Sequence, residues 1–141
     1  MKKFKKTIIA CSSIKAELEK LHAGRKDVHL VFNPQSWHRL PEKLSEMLQE
    51  KIDHVAGESE AIVLGYGLCS KATANLKAPD TGLYIPKVHD CISIYLGGNE
   101  IYEKLSRKYP GTYFLTKNWI DNKKDPLGLI NNEYQERVGY D

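Results

Sequence analysis

Residues 28–64 constrain the fold more than any other stretch. Val28-His29-Leu30-Val31-Phe32 is an apolar run of strand length. After a loop, Leu44, Met47, Leu48, Ile52 and Val55 recur at three- and four-residue steps, the period of a helix with one apolar face. Pro41 suits the first turn of that helix, and Gly57 stops it. A second apolar run, residues 61–64 with an extension toward Tyr66, follows at once. Strand, amphipathic helix and strand in succession predict a layered α/β arrangement. The near-continuous apolar character of residues 28–32 suits a strand covered on both faces.

The same alternation extends in both directions. Residues 7–10 read as a first strand. Ser12 or Ser13 is placed to cap a helix with Ile14, Leu18 and Leu21 on one face, ended by Gly24. Residues 83–88 read as a fourth strand, and Pro86 marks it as an edge or ends it early. Asp90 is a cap for a short helix over residues 91–96. Asn99 is a cap for another, with Ile101, Tyr102 and Leu105 inward and Pro110-Gly111 as the stop. Residues 112–116 read as a fifth strand, followed by a polar connection over 118–125 interrupted by Trp119 and Ile120. From Leu129, the residues Ile130, Tyr134 and Val138 fall on one side of an expected helix that reaches Asp141 without a stop signal, so the domain is expected to continue. Residues 1–141 are thus expected to form a single α/β domain. It would have three layers: a mostly parallel sheet of about five strands with helices on both faces.

Bulk properties exclude several classes. No apolar run approaches the ~18 residues that span a bilayer. The start Met-Lys-Lys-Phe-Lys-Lys is basic, but the apolar residues 7–10 are too short for a signal-peptide core. A cytoplasmic protein without membrane association is expected. Net charge is only +3, and no basic stripe carries interleaved aromatics, so no nucleic-acid partner is expected.

The chain has three cysteines, and each follows an apolar run. Cys11 follows residues 7–10. Cys69 follows residues 61–64 through Gly65-Tyr66-Gly67-Leu68, and Cys91 follows residues 83–88 and the pair His89-Asp90. In an open parallel sheet the carboxyl ends of the strands share one edge, where ligands bind. That edge can therefore gather the three thiols. His38, after the second strand, holds the same class of position, and His89 lies two residues before Cys91. Thiolates are the preferred ligands of zinc and of iron–sulfur clusters. Three cysteines with one histidine make a closed zinc site, whereas an open fourth position suits catalytic zinc or a cluster with one free iron. Helix starts beside Cys11 and Cys91 are expected to lower the thiol pKa. Two alternatives stand beside metal binding: inert buried cysteines, and thiol redox or nucleophilic chemistry. There is no Cys-x-x-Cys pair. His22, His29 and His54 are read as structural or solvated. Gly65 and Gly67 are too few and too closely spaced for a dinucleotide fingerprint or a P-loop. They are expected to permit a tight turn or close backbone approach, with Tyr66 in the core or over a ligand.

Several stretches together resemble a known family. They are Ala10-Cys11, His38 with Pro41-Glu42-Lys43-Leu44, Gly65-Tyr66-Gly67-Leu68-Cys69, Ile85-Pro86, His89-Asp90-Cys91-Ile92 and Leu96-Gly97. Pro110-Gly111-Thr112-Tyr113-Phe114-Leu115-Thr116 with Trp119 completes the set. The pattern resembles the domain of unknown function numbered sixteen thirty-eight, found in anaerobic bacteria and methanogenic archaea. The resemblance carries no established activity. It implies association with corrinoid-dependent methyl transfer, with a corrinoid protein or a methyltransferase as partner. Cysteines and histidines of the family motif match Cys11, His38, Cys69, His89 and Cys91. One departure is that the family often has glycine after the motif cysteine, where this chain has Ser70-Lys71.

The expected function is a metalloprotein holding zinc or an iron–sulfur cluster through Cys11, Cys69 and Cys91. His38 or His89 would be the fourth ligand. Tyr66 and Gly67 would lie at the cofactor, and Asp90 would orient a histidine. The alternative is an accessory module of a methyltransferase system that binds a small molecule without chemistry of its own.

Overall fold

The computed structural model of the chain describes residues 3–121. Four strands, β1 (Lys6–Cys11), β2 (Val28–Asn33), β3 (Ile62–Gly65) and β4 (Leu83–Tyr84), form one sheet in the order β2-β1-β3-β4. Every pairing is parallel, with Ile8 opposite Leu30 on one side and opposite Val63 on the other. Helices α1 (Lys15–Leu21), α2 (Pro41–Val55), α3 (Cys91–Leu96), α4 (Asn99–Lys108) and α5 (Lys117–Asp121) complete the described elements.

The alternation of side chains along β1 builds the three layers. Ile9 and Cys11 face α2, packing with Leu44, Leu48, Ile52 and Val55 and with Ile62, Leu64 and Tyr66. Ile8 and Ala10 point the other way, into a second cluster with Ile14, Val28 and Leu18 of α1. The chain runs from β1 outward to β2 through α1 on one face. It then returns past β1 to β3 through α2 on the opposite face. Reversing both direction and face keeps each crossover right-handed. The reversal places the topological switch point between the ends of β1 and β3.

Burial agrees with the helix period where the sheet enforces it. Leu44, Leu48 and Ile52 are at most 1% exposed. Thr7, wholly buried at mid-sheet, shares a hydrogen bond with the Ser59 hydroxyl. Asp90 caps α3 as expected, its carboxylate accepting from the Ser93 amide at 3.1 Å. Pro41 opens α2, and β4 is a two-residue edge strand before Pro86.

Several expectations are corrected. Residues 112–116 form no strand, so the sheet has four strands rather than five. Tyr113 and Leu115 stay about half exposed, with Phe114 against Tyr102 at 5.7 Å between rings. β2 is an edge strand covered only in part, and the strand buried on both faces is β1. Leu21, the last residue of α1, is 74% exposed, and Ile101, in the first turn of α4, is about half exposed, so neither is covered as expected. Neither serine caps α1. Residues 12–14 form a separate 3-10 turn, and the Ser12 hydroxyl accepts from the Gln35 amide instead. Asn99 caps the wrong partner for a helix start, accepting from the His89 amide at 3.0 Å. Part of the expected polar connection after residue 117 is helical, as α5. The helix expected from Leu129 lies outside the described residues.

No helix among the described residues is long and apolar enough to cross a membrane. Because Leu48 is fully buried between α2 and the sheet, Leu48→Ala is expected to remove about 2–5 kcal/mol of unfolding free energy. Urea titration should show the loss as a lower midpoint with an unchanged slope.

Candidate functional site

The carboxyl ends of the strands surround a cavity of about 420 Å³. Cys11, Cys69, Cys91, His38 and His89 all line it, with Tyr66 and Asp90. Each arrives by a different route. Cys11 is the last residue of β1 and continues the face that packs on α2. Cys69 follows the turn after β3. Cys91 opens α3 and packs against the cluster on the other face of the sheet. The cavity thus collects thiols from both layers, which only the sheet edge allows. All three thiols are free; Cys11 is buried, and the other two are partly so.

Gly67 is the hinge of this convergence. A Cβ there would stand 2.6 Å from the Val88 carbonyl oxygen and 2.7 Å from the Asp90 amide nitrogen. Only the missing side chain lets the two loops touch along their backbones. The contact is held by two amide-to-carbonyl hydrogen bonds of 2.9 Å, Leu68 to Val88 and Cys69 to His89. The Thr73 hydroxyl adds a third, to the Gly67 carbonyl. Gly67 therefore meets the neighbouring loop rather than the cavity. Beyond it, Cys69, Ser70 and Lys71 all hold positive φ, of 46°, 56° and 69°. Three consecutive non-glycine residues in the left-handed region carry strain of roughly 1–2 kcal/mol each. The position after the motif cysteine, where Ser70 stands, is one where glycine would relieve that strain.

The turn after β2 supplies His38 and Gln35. The His38 ring nitrogen Nδ1 is in a short contact with the Gln35 carbonyl. A carbonyl oxygen can only accept, so Nδ1 carries the hydrogen and Nε2 keeps its lone pair. The Trp119 ring lies 5.9 Å from the His38 ring and forms part of the cavity wall. Asp90 accepts from the amide and the hydroxyl of Ser93 through its Oδ1.

Burial sets the protonation of the site. It pushes the Cys69 thiol up to about 12, and the neighbouring Cys91 and Cys11 charges add to the effect. Burial also raises the Cys91 thiol, with the Cys11 charge again contributing. The lowering expected at the start of α3 is outweighed, because α3 is only six residues long and the thiol is withdrawn from water. Tyr66, 2% exposed, is raised by burial and by Cys11, so its phenol stays neutral. The buried Asn33 side chain donates to its oxygen at 3.2 Å.

The donor set is chemically suited to a thiophilic metal: soft sulfur, imidazole nitrogen, and thiolates whose mutual repulsion a cation would relieve. Among the described residues, no three His, Cys, Asp or Glu side chains already stand in a coordinating arrangement. A metal would therefore have to draw the side chains together.

Four cavity residues were not singled out as site residues from the sequence: Gln35, Ser70, Ile92 and Trp119. Trp119 and Ile92 carried a signal only as parts of the family motifs. Gln35 carried none, because nothing in a polar loop distinguishes a buried glutamine from a solvated one. Its side chain is 6% exposed, and neither its Nε2 nor its Oε1 has a hydrogen-bond partner among the described residues. Each such group costs about 1–3 kcal/mol when left unpaired.

The fold and the cavity define a small doubly wound α/β protein with a thiol-lined cleft at the switch point of its sheet. The chain belongs to the family described as protein of unknown function (DUF1638), whose model matches residues 32–138. No curated protein and no solved structure gives a significant match to the chain.

Gly67→Ala is expected to force the two loops apart, lowering stability by about 1–3 kcal/mol. It should also speed alkylation of Cys69 at neutral pH, read by mass spectrometry, as the thiol regains water. Gly57→Ala is the matched control. Nothing lies within 4 Å of that position, and stability should stay within about 0.5 kcal/mol of the parent.

Proposed function

We propose that the cleft is a thiolate metal centre, with Cys11, Cys69 and Cys91 as sulfur ligands to zinc or an iron–sulfur cluster. The observation that carries this reading is the convergence of all three cysteines with two histidines on one cavity. Dispersed, inert cysteines have no reason to share a cleft. Thiol redox chemistry is disfavoured by the raised Cys69 and Cys91 thiols, since the thiolate is the reactive form. His38 is the better nitrogen donor. Its Nδ1 is committed to a carbonyl, which aims a basic Nε2 outward in the manner of metal-ligating histidines. Zinc held there would supply Lewis acidity toward a thiol or a water. The chain's own residues would hold it, keep Tyr66 as a neutral hydrogen-bond donor, and limit access by solvent. Association with corrinoid-dependent methyl transfer, through a corrinoid protein or methyltransferase, belongs to the same proposal and is supported by the family resemblance. The second reading, a small-molecule module, is favoured by the size of the cavity, which exceeds what a metal alone requires.

Protein purified without oxygen is expected to carry stoichiometric zinc, or iron with visible absorption. Cys69→Ser should lose most of it, and full metal content in that variant overturns the proposal. The pH dependence has a definite sign. Without metal the Cys69 thiol is held up to about 12, so it is protonated near neutral pH and must release its proton to bind. Affinity should therefore rise with pH, roughly tenfold per unit for each thiol released between pH 6 and 8. Chelator competition across that range measures it, and a flat profile counts against thiolate ligation.

A further inference from the structure

We infer that Ser12 and Ser13 are positioning residues of the metal centre, the first holding His38 through Gln35 and the second holding Cys91 directly. The inference rests on the metal reading above and adds to it the residues that set two of its ligands. Both serines follow Cys11 in the 3-10 turn of residues 12–14, and neither lines the cavity. Three consecutive residues thus serve three arms of the site: Cys11 as a ligand, Ser12 toward the turn after β2, and Ser13 toward α3. The Ser12 hydroxyl accepts from the Gln35 amide at 3.1 Å, and the Gln35 carbonyl accepts from His38 Nδ1. Ser12 therefore fixes the residue whose carbonyl sets the tautomer and the direction of the imidazole. Such outer partners of a ligating histidine orient its ring and raise its basicity.

Ser13 is wholly buried. Its carbonyl accepts from the Tyr95 hydroxyl at 3.2 Å and from the Thr116 hydroxyl at 3.3 Å. Tyr95 stands four residues after Cys91, so the two share one face of α3. The Ser13 main chain is tied to that face. Its own hydroxyl has no hydrogen-bond partner of good geometry among the described residues. It nevertheless acts on Cys91: burial raises that thiol, and the Ser13 side chain opposes the rise. A protonated thiol is a weak acceptor, whereas a thiolate accepts strongly. Metal binding converts the one into the other. The buried hydroxyl thus gains its partner when Cys91 becomes a ligand, which accounts for a donor left unpaired beside a neutral thiol.

The test titrates Co²⁺ into the full chain without oxygen and follows the thiolate-to-cobalt charge-transfer absorption in the near ultraviolet. Ser13→Ala is expected to weaken Co²⁺ binding about tenfold or more and to shift that band, because a ligating sulfur has lost a donor. Without metal the same variant should melt no lower than the parent, since it removes an unpaired buried group. Ser12→Ala should also weaken binding about tenfold, and Ser12→Thr, which keeps the acceptor, should restore it to within about twofold. In a His38→Ala background Ser12→Ala should change affinity by less than about twofold, whereas Ser13→Ala should keep its full effect. Three results overturn the inference while the metal proposal stands. They are binding within about twofold of the parent in Ser12→Ala or Ser13→Ala, a lower melting temperature of metal-free Ser13→Ala, and a full Ser12→Ala effect in the His38→Ala background. A parent that takes up no Co²⁺ overturns both.

Discussion

The site depends on two backbone hydrogen bonds, from the amides of Leu68 and Cys69 to the carbonyls of Val88 and His89. They act as a short ladder beyond the end of the sheet, where β3 and β4 no longer pair. Main-chain atoms can approach this closely only because Gly67 has no side chain. Gly65 serves the same end one turn earlier, since a Cβ there would stand 2.6 Å from that of Ala10. The two glycines let the exit of β3 lie flat against β1 on one side and against the His89–Asp90 loop on the other. Cys69 is thereby held at the cavity that Cys11 and Cys91 also line. Without that approach the three thiols would belong to three separate loops.

Around this ladder several local rules are broken together. Cys69, Ser70 and Lys71 hold left-handed backbone without glycine. The Gln35 carboxamide and the Asn33 side-chain oxygen are buried without partners among the described residues. Two thiols are withdrawn from water next to one another. Elsewhere the chain is locally consistent: α2 buries its apolar face, Asp90 caps α3, and Thr7 and Ser59 satisfy each other at the centre of the sheet. Strain and unpaired groups concentrated at one cleft are a pattern of functional sites, where stability has been given up for pre-organisation.

Much of this was legible in the residues, and the failures have physical causes. The four strands and the main helices follow from apolar period and from caps such as Pro41 and Asp90, which act locally. The fifth strand was misread because Thr112-Tyr113-Phe114-Leu115-Thr116 has strand-like composition, and composition reports what fits a pleated surface rather than whether a partner strand is in reach. The expected cover on both faces of β2 failed for a similar reason. β1 and β2 are both apolar, and only the strand order decides which is covered twice. Ser12 looked like a helix cap, but its hydroxyl serves the Gln35 amide, a partner 23 positions away that no local rule could name.

The sequence by itself determined the class of fold, the strand-exit position of each cysteine, and the need for a close approach at Gly65 and Gly67. These are matters of period, of chain punctuation and of a missing Cβ, all of which act within a few residues. The tertiary structure alone decided that the three thiols share a cavity with His38 and His89. It also decided that burial raises the Cys69 and Cys91 thiols, at Cys91 against the lowering expected of a helix start, and that the Gln35 carboxamide is buried without a partner among the described residues. Those outcomes depend on strand order and on exclusion of water by distant segments. Both are properties of the assembled sheet and of no single stretch of chain.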